Sequence, residues 1–141
     1  MTPKKSRKAS LPSRTIKAET PCGPCYITVT FAEDQPFELF LRMKKNGCCQ
    51  RASVEAVGKL ASLALRSGAD PGDIFKTLKG INCGRTAWNE GEMVMSCFDA
   101  VASAYQEAWS LFEESFGQLT FADAPAAEDL LARPLEEPQA A

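Results

Sequence analysis

The chain contains no histidine, and that absence closes off a wide range of chemistry. Without an imidazole there is no Ser-His-Asp or Cys-His nucleophile system, no histidine general acid or base, and no mixed Cys/His zinc finger. Any metal has to be held by cysteine, with carboxylates as lesser candidates. No apolar run is long enough to span a bilayer, and no signal-peptide core follows the N-terminal charges. The expectation is therefore a cytoplasmic chain with no membrane partner. A glycine-rich phosphate loop is missing as well: Gly47-Cys48-Cys49 lacks the further glycines and the Lys-Ser/Thr ending that cradle a nucleotide. No internal repeat is visible, and the net charge of −2 is too small to name a partner.

What is present fits one modest domain with tails. At 141 residues, 45% hydrophobic and 24% charged, the composition is that of an ordinary globular protein. Charge is unevenly spread. Lys4, Lys5, Arg7, Lys8, Arg14 and Lys17 crowd the N-terminus, whereas Glu128, Asp129, Glu136 and Glu137 mark the other end. Residues 1–20 are expected to form an unstructured basic arm, with nucleic acid or an acidic protein surface as its possible partners. Residues 21–118 are expected to hold the fold, and the Ala, Pro and Glu-rich residues 119–141 a tail.

Within 21–118 the hydrophobic period changes once. Ile27, Val29 and Phe31 alternate with Tyr26, Thr28 and Thr30. After the polar turn 33–36, Phe37, Leu39, Leu41 and Met43 alternate with Glu38, Phe40 and Arg42. This pattern predicts a β-hairpin. From about Gln50 to Ser67 the spacing of Val54, Val57, Leu60, Ala61, Ala64 and Leu65 predicts an amphipathic helix capped by Gly68. Asp70 before Pro71 predicts the start of a second, short helix that Gly80 stops. Residues 81–95 read as loop. Ser96 and Asp99 predict a capping box for a third helix, whose buried stripe is Phe98, Val101, Tyr105, Ala108 and Phe112 and whose end is Gly117. The fold class expected is α+β, an antiparallel hairpin packed against about three helices.

Six cysteines stand at or near element boundaries: Cys22 and Cys25 flank the entry to the hairpin, Cys48 and Cys49 precede the first helix, Cys83 follows the short helix, and Cys97 opens the last. In a reducing compartment thiols are ligands, redox groups or small buried hydrophobes, and spacing alone leaves all three open. A zinc site drawing on Cys22, Cys83, Cys97 and either Cys48 or Cys49 is one expectation. A redox pair Cys22-Gly-Pro-Cys25 is another, although it leads into a strand where thioredoxin-like proteins continue into a helix. Arg85 lies beside Cys83 as a charge able to lower a thiol pKa, and Trp88 is a candidate cover for the sulfur site or a partner contact.

Taken in order, the tight-turn Cys-Gly, the hairpin, Gly-x-Cys, Leu-Ala-Leu-Arg-Ser-Gly, the Asp-Pro helix, Leu-Lys-Gly-Ile-x-Cys and Ser-Cys-x-Asp-Ala-x-Ala resemble the TSCPD domain. That family is named for Thr-Ser-Cys-Pro-Asp and occurs alone or at the C-terminal side of adenosylcobalamin-dependent ribonucleotide reductases. Here the naming motif reads Met95-Ser96-Cys97-Phe98-Asp99. The resemblance runs from about Pro21 to Tyr105. It implies cysteine at the positions of Cys22, Cys49, Cys83 and Cys97, with Cys48 the competitor of Cys49, and it favours zinc there. It also implies an accessory or regulatory module linked to deoxyribonucleotide synthesis, with a ribonucleotide reductase or another protein as partner. A chain of this length has no room for the reductase's catalytic barrel. Any ribonucleoside-diphosphate reductase activity would belong to the neighbouring protein. The alternatives are a thiol–disulfide donor to a reductase through Cys22 and Cys25, and a nucleic-acid-binding module through the basic arm. Oligomeric state is not legible.

Overall fold

In a computed structural model, which describes residues 2–44 and 49–118, the chain is α+β as expected. Five strands and three helices follow in the order β1 (Ser13–Thr20), β2 (Gly23–Ala32), β3 (Gln35–Met43), α1 (Cys49–Arg66), α2 (Pro71–Leu78), β4 (Ala87–Asn89), β5 (Glu92–Val94) and α3 (Cys97–Gln118). Strands β1, β2 and β3 form one antiparallel sheet in chain order, and β4 and β5 form a separate small hairpin. The tail 119–141 and Cys48 lie outside the described residues.

The predicted two-stranded hairpin is thus the inner part of a three-stranded sheet. Ser13–Thr20, expected to belong to an unstructured arm, pairs with β2 over its whole length, from Ser13 opposite Thr30 to Thr20 opposite Gly23. The cations that suggested an arm occupy alternate positions of an edge strand. Ile16, Ala18 and Thr20 point inward, while Thr15, Lys17 and Glu19 face water. With so few apolar residues, β1 draws its stability from its ladder with β2 more than from its own burial. Arg14 lies on the inner face, and its guanidinium donates to the Ser115 hydroxyl and the Leu111 carbonyl of α3.

The turn between β2 and β3 is the two residues Glu33 and Asp34, at φ 52° and 63°, the left-handed pair that matches hairpin twist. Gln35 and Pro36 belong to β3. The predicted loop 81–95 contains a second such turn, Glu90 and Gly91 at φ 49° and 84°, between the three-residue strands β4 and β5. Helix positions follow the sequence pattern closely. The Asp70 carboxylate accepts from Gly72 N–H at 2.7 Å, with Pro71 at the first helical position.

One face of the sheet builds the core. Cys25, Ile27, Val29 and Phe31 of β2, Leu39, Leu41 and Met43 of β3 and Ala18 of β1 are buried there with Val54, Ala61, Val101, Tyr105 and Ala108 of the helices. Helix α3 crosses β1 and β2 while α1 covers β3. Phe31 and Phe112 stack at 3.9 Å with their planes 2° apart. Tyr105 is fully buried and donates its hydroxyl to the Pro71 carbonyl at 2.8 Å, which ties α2 to α3; burial pushes its pKa up.

Helix α1 also closes the outer edge of β3. The Ser62 hydroxyl accepts from Leu39 N–H at 2.8 Å and donates to Leu39 C=O at 3.0 Å, so a helix side chain satisfies both backbone groups of one edge residue. Gly58 permits that approach, since a Cβ there would lie 3.2 Å from the Leu39 carbonyl oxygen. Glu38, on the opposite side of the strand from Leu39, is buried between Arg7 Nε at 2.7 Å and Arg66 Nη1 at 3.3 Å. Arg66 also donates to the Lys5 carbonyl, and Lys5 N–H donates to the Arg66 carbonyl. Residues 5–7 of the basic segment are therefore fastened to the C-terminal end of α1.

Candidate functional site

Cys22 and Cys97 come together where the β1–β2 turn faces the start of α3. In the turn Thr20-Pro21-Cys22-Gly23, Gly23 adopts φ 105°, a conformation that glycine takes without strain. The Thr20 hydroxyl donates to the Gly23 carbonyl at 2.7 Å and accepts from Cys22 N–H at 3.2 Å. It also accepts from the thiol of Cys97, at 3.3 Å. Cys97 is the first residue of α3, the helix start where the sequence places it, and its side chain is buried. Thr20 is the hub of this contact.

Cys22 is half-buried, and its pKa is raised by burial first, then by the neighbouring Cys97 thiol and more weakly by Cys83, against the pull of Arg85. Cys25 sits on the core face of β2, fully buried. Burial, with Cys97 nearby, pushes its thiol up to about 11. Cys97 thus shares the Thr20 hydroxyl with the Cys22 backbone, while Cys25 is turned into the core. Cys83 is exposed, with its N–H donating to Met95 C=O at 3.2 Å and its sulfur 3.5 Å from the same carbonyl. Cys49 opens α1 with an exposed side chain. Thiols with raised pKa stay protonated at neutral pH and are weak nucleophiles and weak ligands.

Among the described residues, no group of three or more Cys, Asp or Glu side chains is placed to hold a metal ion. The four-thiolate zinc ligand set Cys22, Cys49, Cys83 and Cys97 is accordingly not assembled in this arrangement.

Ser96 and Asp99 brace the same corner. The Ser96 hydroxyl accepts from Asp99 N–H at 3.0 Å, the first half of the expected capping box. The return half lands one residue early, because Asp99 Oδ2 accepts from Met95 N–H at 3.0 Å. Asp99 Oδ1 accepts from Gly80 N–H at 2.8 Å and lies 3.2 Å from Lys79 Nζ. Burial alone would raise the Asp99 pKa, but these donors outweigh it and hold the carboxyl below its ordinary value. One carboxylate thereby joins the end of α2, the end of β5 and the start of α3. The Leu-Lys-Gly stretch carried this link in the sequence, though nothing in its spacing showed that Gly80 would reach Asp99.

Fold and site together define a small α+β domain in which Cys22 and Cys97 meet the Thr20 hydroxyl at a turn–helix junction held by a buried carboxylate. The sequence matches the TSCPD domain family over residues 1–108, and the chain belongs to that family, which is associated with ribonucleotide reductases. The match takes in all five strands, α1, α2 and the first half of α3. No curated protein and no solved structure matches the chain. Among the described residues, no helix is long and apolar enough to cross a membrane.

Proposed function

We propose that the domain is an accessory or regulatory module of a ribonucleotide reductase, acting by binding and linked to deoxyribonucleotide synthesis. The observation that carries this reading is the family match across residues 1–108. The contact surface assigned to the partner is the tip of the β4–β5 hairpin. There Trp88 and Met93 pair across the strands, 70% and 49% exposed. A solvent-exposed tryptophan on a short hairpin is the kind of anchor that dominates protein interfaces. Titrating the chain into the ribonucleotide reductase of the same organism, with calorimetric and turnover readouts, tests the reading. Binding tighter than about 100 μM that Trp88→Ala weakens at least about tenfold supports it. Neither binding nor a change in turnover at that concentration overturns it.

A second reading, thiol–disulfide exchange with a reductase, is favoured by one observation, the single Thr20 hydroxyl that accepts from both the Cys22 N–H and the Cys97 thiol. It moves the proposed pair from Cys22/Cys25 to Cys22/Cys97. The two thiols would give two protons and two electrons to a reductase disulfide and leave as a Cys22–Cys97 disulfide. Full turnover with Cys22→Ser/Cys97→Ser as the only added protein would exclude it. Zinc ligation by Cys22, Cys49, Cys83 and Cys97 is decided by metal analysis of tag-free protein. About one equivalent, lost in Cys83→Ser, supports ligation, and less than about a tenth overturns it.

A further inference from the structure

Both long helices lie on one side of the three-stranded sheet, and the opposite side carries a distinct chemistry. Across the strands Lys17 stands opposite Tyr26 and Tyr26 opposite Arg42, while Thr15 stands opposite Thr28 and Thr28 opposite Phe40. These positions share the solvent face, where Phe40 is 52% exposed and Tyr26 38%. Tyr26 and Phe40 are diagonal neighbours on adjacent strands, within reach of one extended ligand. Together with Thr28, Leu41, Arg42 and Lys44 they line a shallow depression of about 520 Å³.

The exposed charge of this face is mainly basic. Lys17, Arg42 and Lys44 are exposed on or beside it, and Glu19 is the exposed acid, 3.9 Å from Lys17. Glu38, the other acidic position on this side, is buried between Arg7 and Arg66. The Thr15 and Thr28 hydroxyls bond to each other at 2.8 Å, so the centre of the face is polar and flat. Two rings on an antiparallel sheet, ringed by cations, suit a ligand with stackable planar groups at regular spacing on a polyanionic backbone. An apolar peptide or a second hydrophobic face would offer no partner to Arg42 and Lys44.

From this juxtaposition we infer that the open face of the sheet binds single-stranded nucleic acid, with Tyr26 and Phe40 stacking on bases and Lys17, Arg42 and Lys44 meeting phosphates. This site goes beyond the reductase-associated reading and does not depend on it. It also differs from the N-terminal arm, whose Arg7 is committed to Glu38.

Fluorescence anisotropy with labelled oligothymidylate and oligouridylate of about twelve nucleotides tests the inference, since an unpaired strand of that size can span such a face. Three phosphate contacts predict an affinity that falls about 20-fold between about 50 and 200 mM salt. Phe40→Ala and Tyr26→Ala should each weaken binding about fivefold or more. Arg42→Gln should flatten the salt dependence while leaving both rings in place. All three side chains point to solvent, so circular dichroism and the melting temperature should match the parent, and Lys4→Ala/Lys8→Ala should bind as the parent does. The DNA and RNA probes decide which polymer is preferred. The inference is overturned by no anisotropy change at low salt, or by equal or tighter binding of a duplex of the same sequence. It is also overturned if the arm variant loses binding while Phe40→Ala keeps it. A dimer by light scattering that Phe40→Ala converts to monomer would overturn it too, by giving the face to a second copy.

Discussion

Replacing Asp99 is the sharpest test of how this fold is held. The carboxylate is 2% exposed and accepts from two backbone N–H groups on separate segments, Gly80 at 2.8 Å and Met95 at 3.0 Å. Hydrogen bonds to a charged acceptor contribute about 1.5–3 kcal/mol each, and donors left unpaired in a buried place cost a similar amount. The Lys79 ammonium is 42% exposed and adds well under about 1 kcal/mol after solvent screening. Asp99→Ala should therefore cost about 3–4 kcal/mol, while Asp99→Asn, which keeps one acceptor but aims an NH₂ at the other donor, should cost about 2. Urea unfolding followed by far-ultraviolet circular dichroism measures both. The pH dependence adds a second signature. The folded-state pKa lies below the ordinary 3.8, so on acidification the unfolded chain takes up the proton first. The stabilisation is complete above about pH 5 and is lost as pH falls through the folded-state value. Asparagine does not titrate, so the gap between parent and Asp99→Asn should narrow from pH 7 towards about pH 3. A gap unchanged over that range, or Asp99→Ala within about 0.5 kcal/mol of the parent, would refute the account.

Two further outcomes follow from burial and backbone pairing. In a Cys48→Ser background, a thiol-specific reagent at neutral pH should modify Cys49 and Cys83 in the native protein and reach Cys25 and Cys97 only on unfolding, with mass spectrometry locating the label. Rapid native modification of Cys25, whose pKa is pushed to about 11, would contradict its place in the core. Ser62→Ala leaves Leu39 N–H and C=O unpaired at the sheet edge and should cost about 1–2 kcal/mol in chemical denaturation; no loss would mean that water replaces the hydroxyl freely.

How much of this was legible in the sequence follows from where each signal lives. The alternation of Ile27, Val29 and Phe31 and the helical spacing of Val54, Ala61 and Leu65 are local, and the structure buries those residues. Asp70 before Pro71 was equally local, and its cap forms as read. Strand β1 was not legible, since Arg14 and Lys17 look alike in sequence. Only pairing with β2 separates the one that crosses to α3 from the one that faces water. The β4–β5 hairpin hides behind Glu90, a residue without the usual left-handed preference. At the site, the positions of Cys97 and Ser96 were readable from helix-start chemistry. The choice of Cys97 over Cys25 as the neighbour of Cys22 was not, because β2 turns Cys25 inward and its two-residue offset from the turn does not show that on its own.

The family's naming motif also acquires a physical explanation, and one more prediction. Of Met95-Ser96-Cys97-Phe98-Asp99, the residues that keep the motif are those whose side chains hold something. Ser96 caps α3, Cys97 reaches Thr20, and Asp99 gathers Gly80 and Met95. Position 95, where the motif has Thr, takes part through its backbone: Met95 N–H donates to Asp99, and its carbonyl receives Cys83 N–H. Position 98, where the motif has Pro, lies in the first turn, where an N–H has no intrahelical acceptor, so Phe and Pro place the same demand on the ladder. Met95→Thr should then stay within about 0.5 kcal/mol of the parent, whereas Ser96→Ala should lose about 1 kcal/mol with the cap. Equal losses at the two positions, measured by the same urea transitions, would mean that the motif's spelling records something other than this hydrogen-bonded corner.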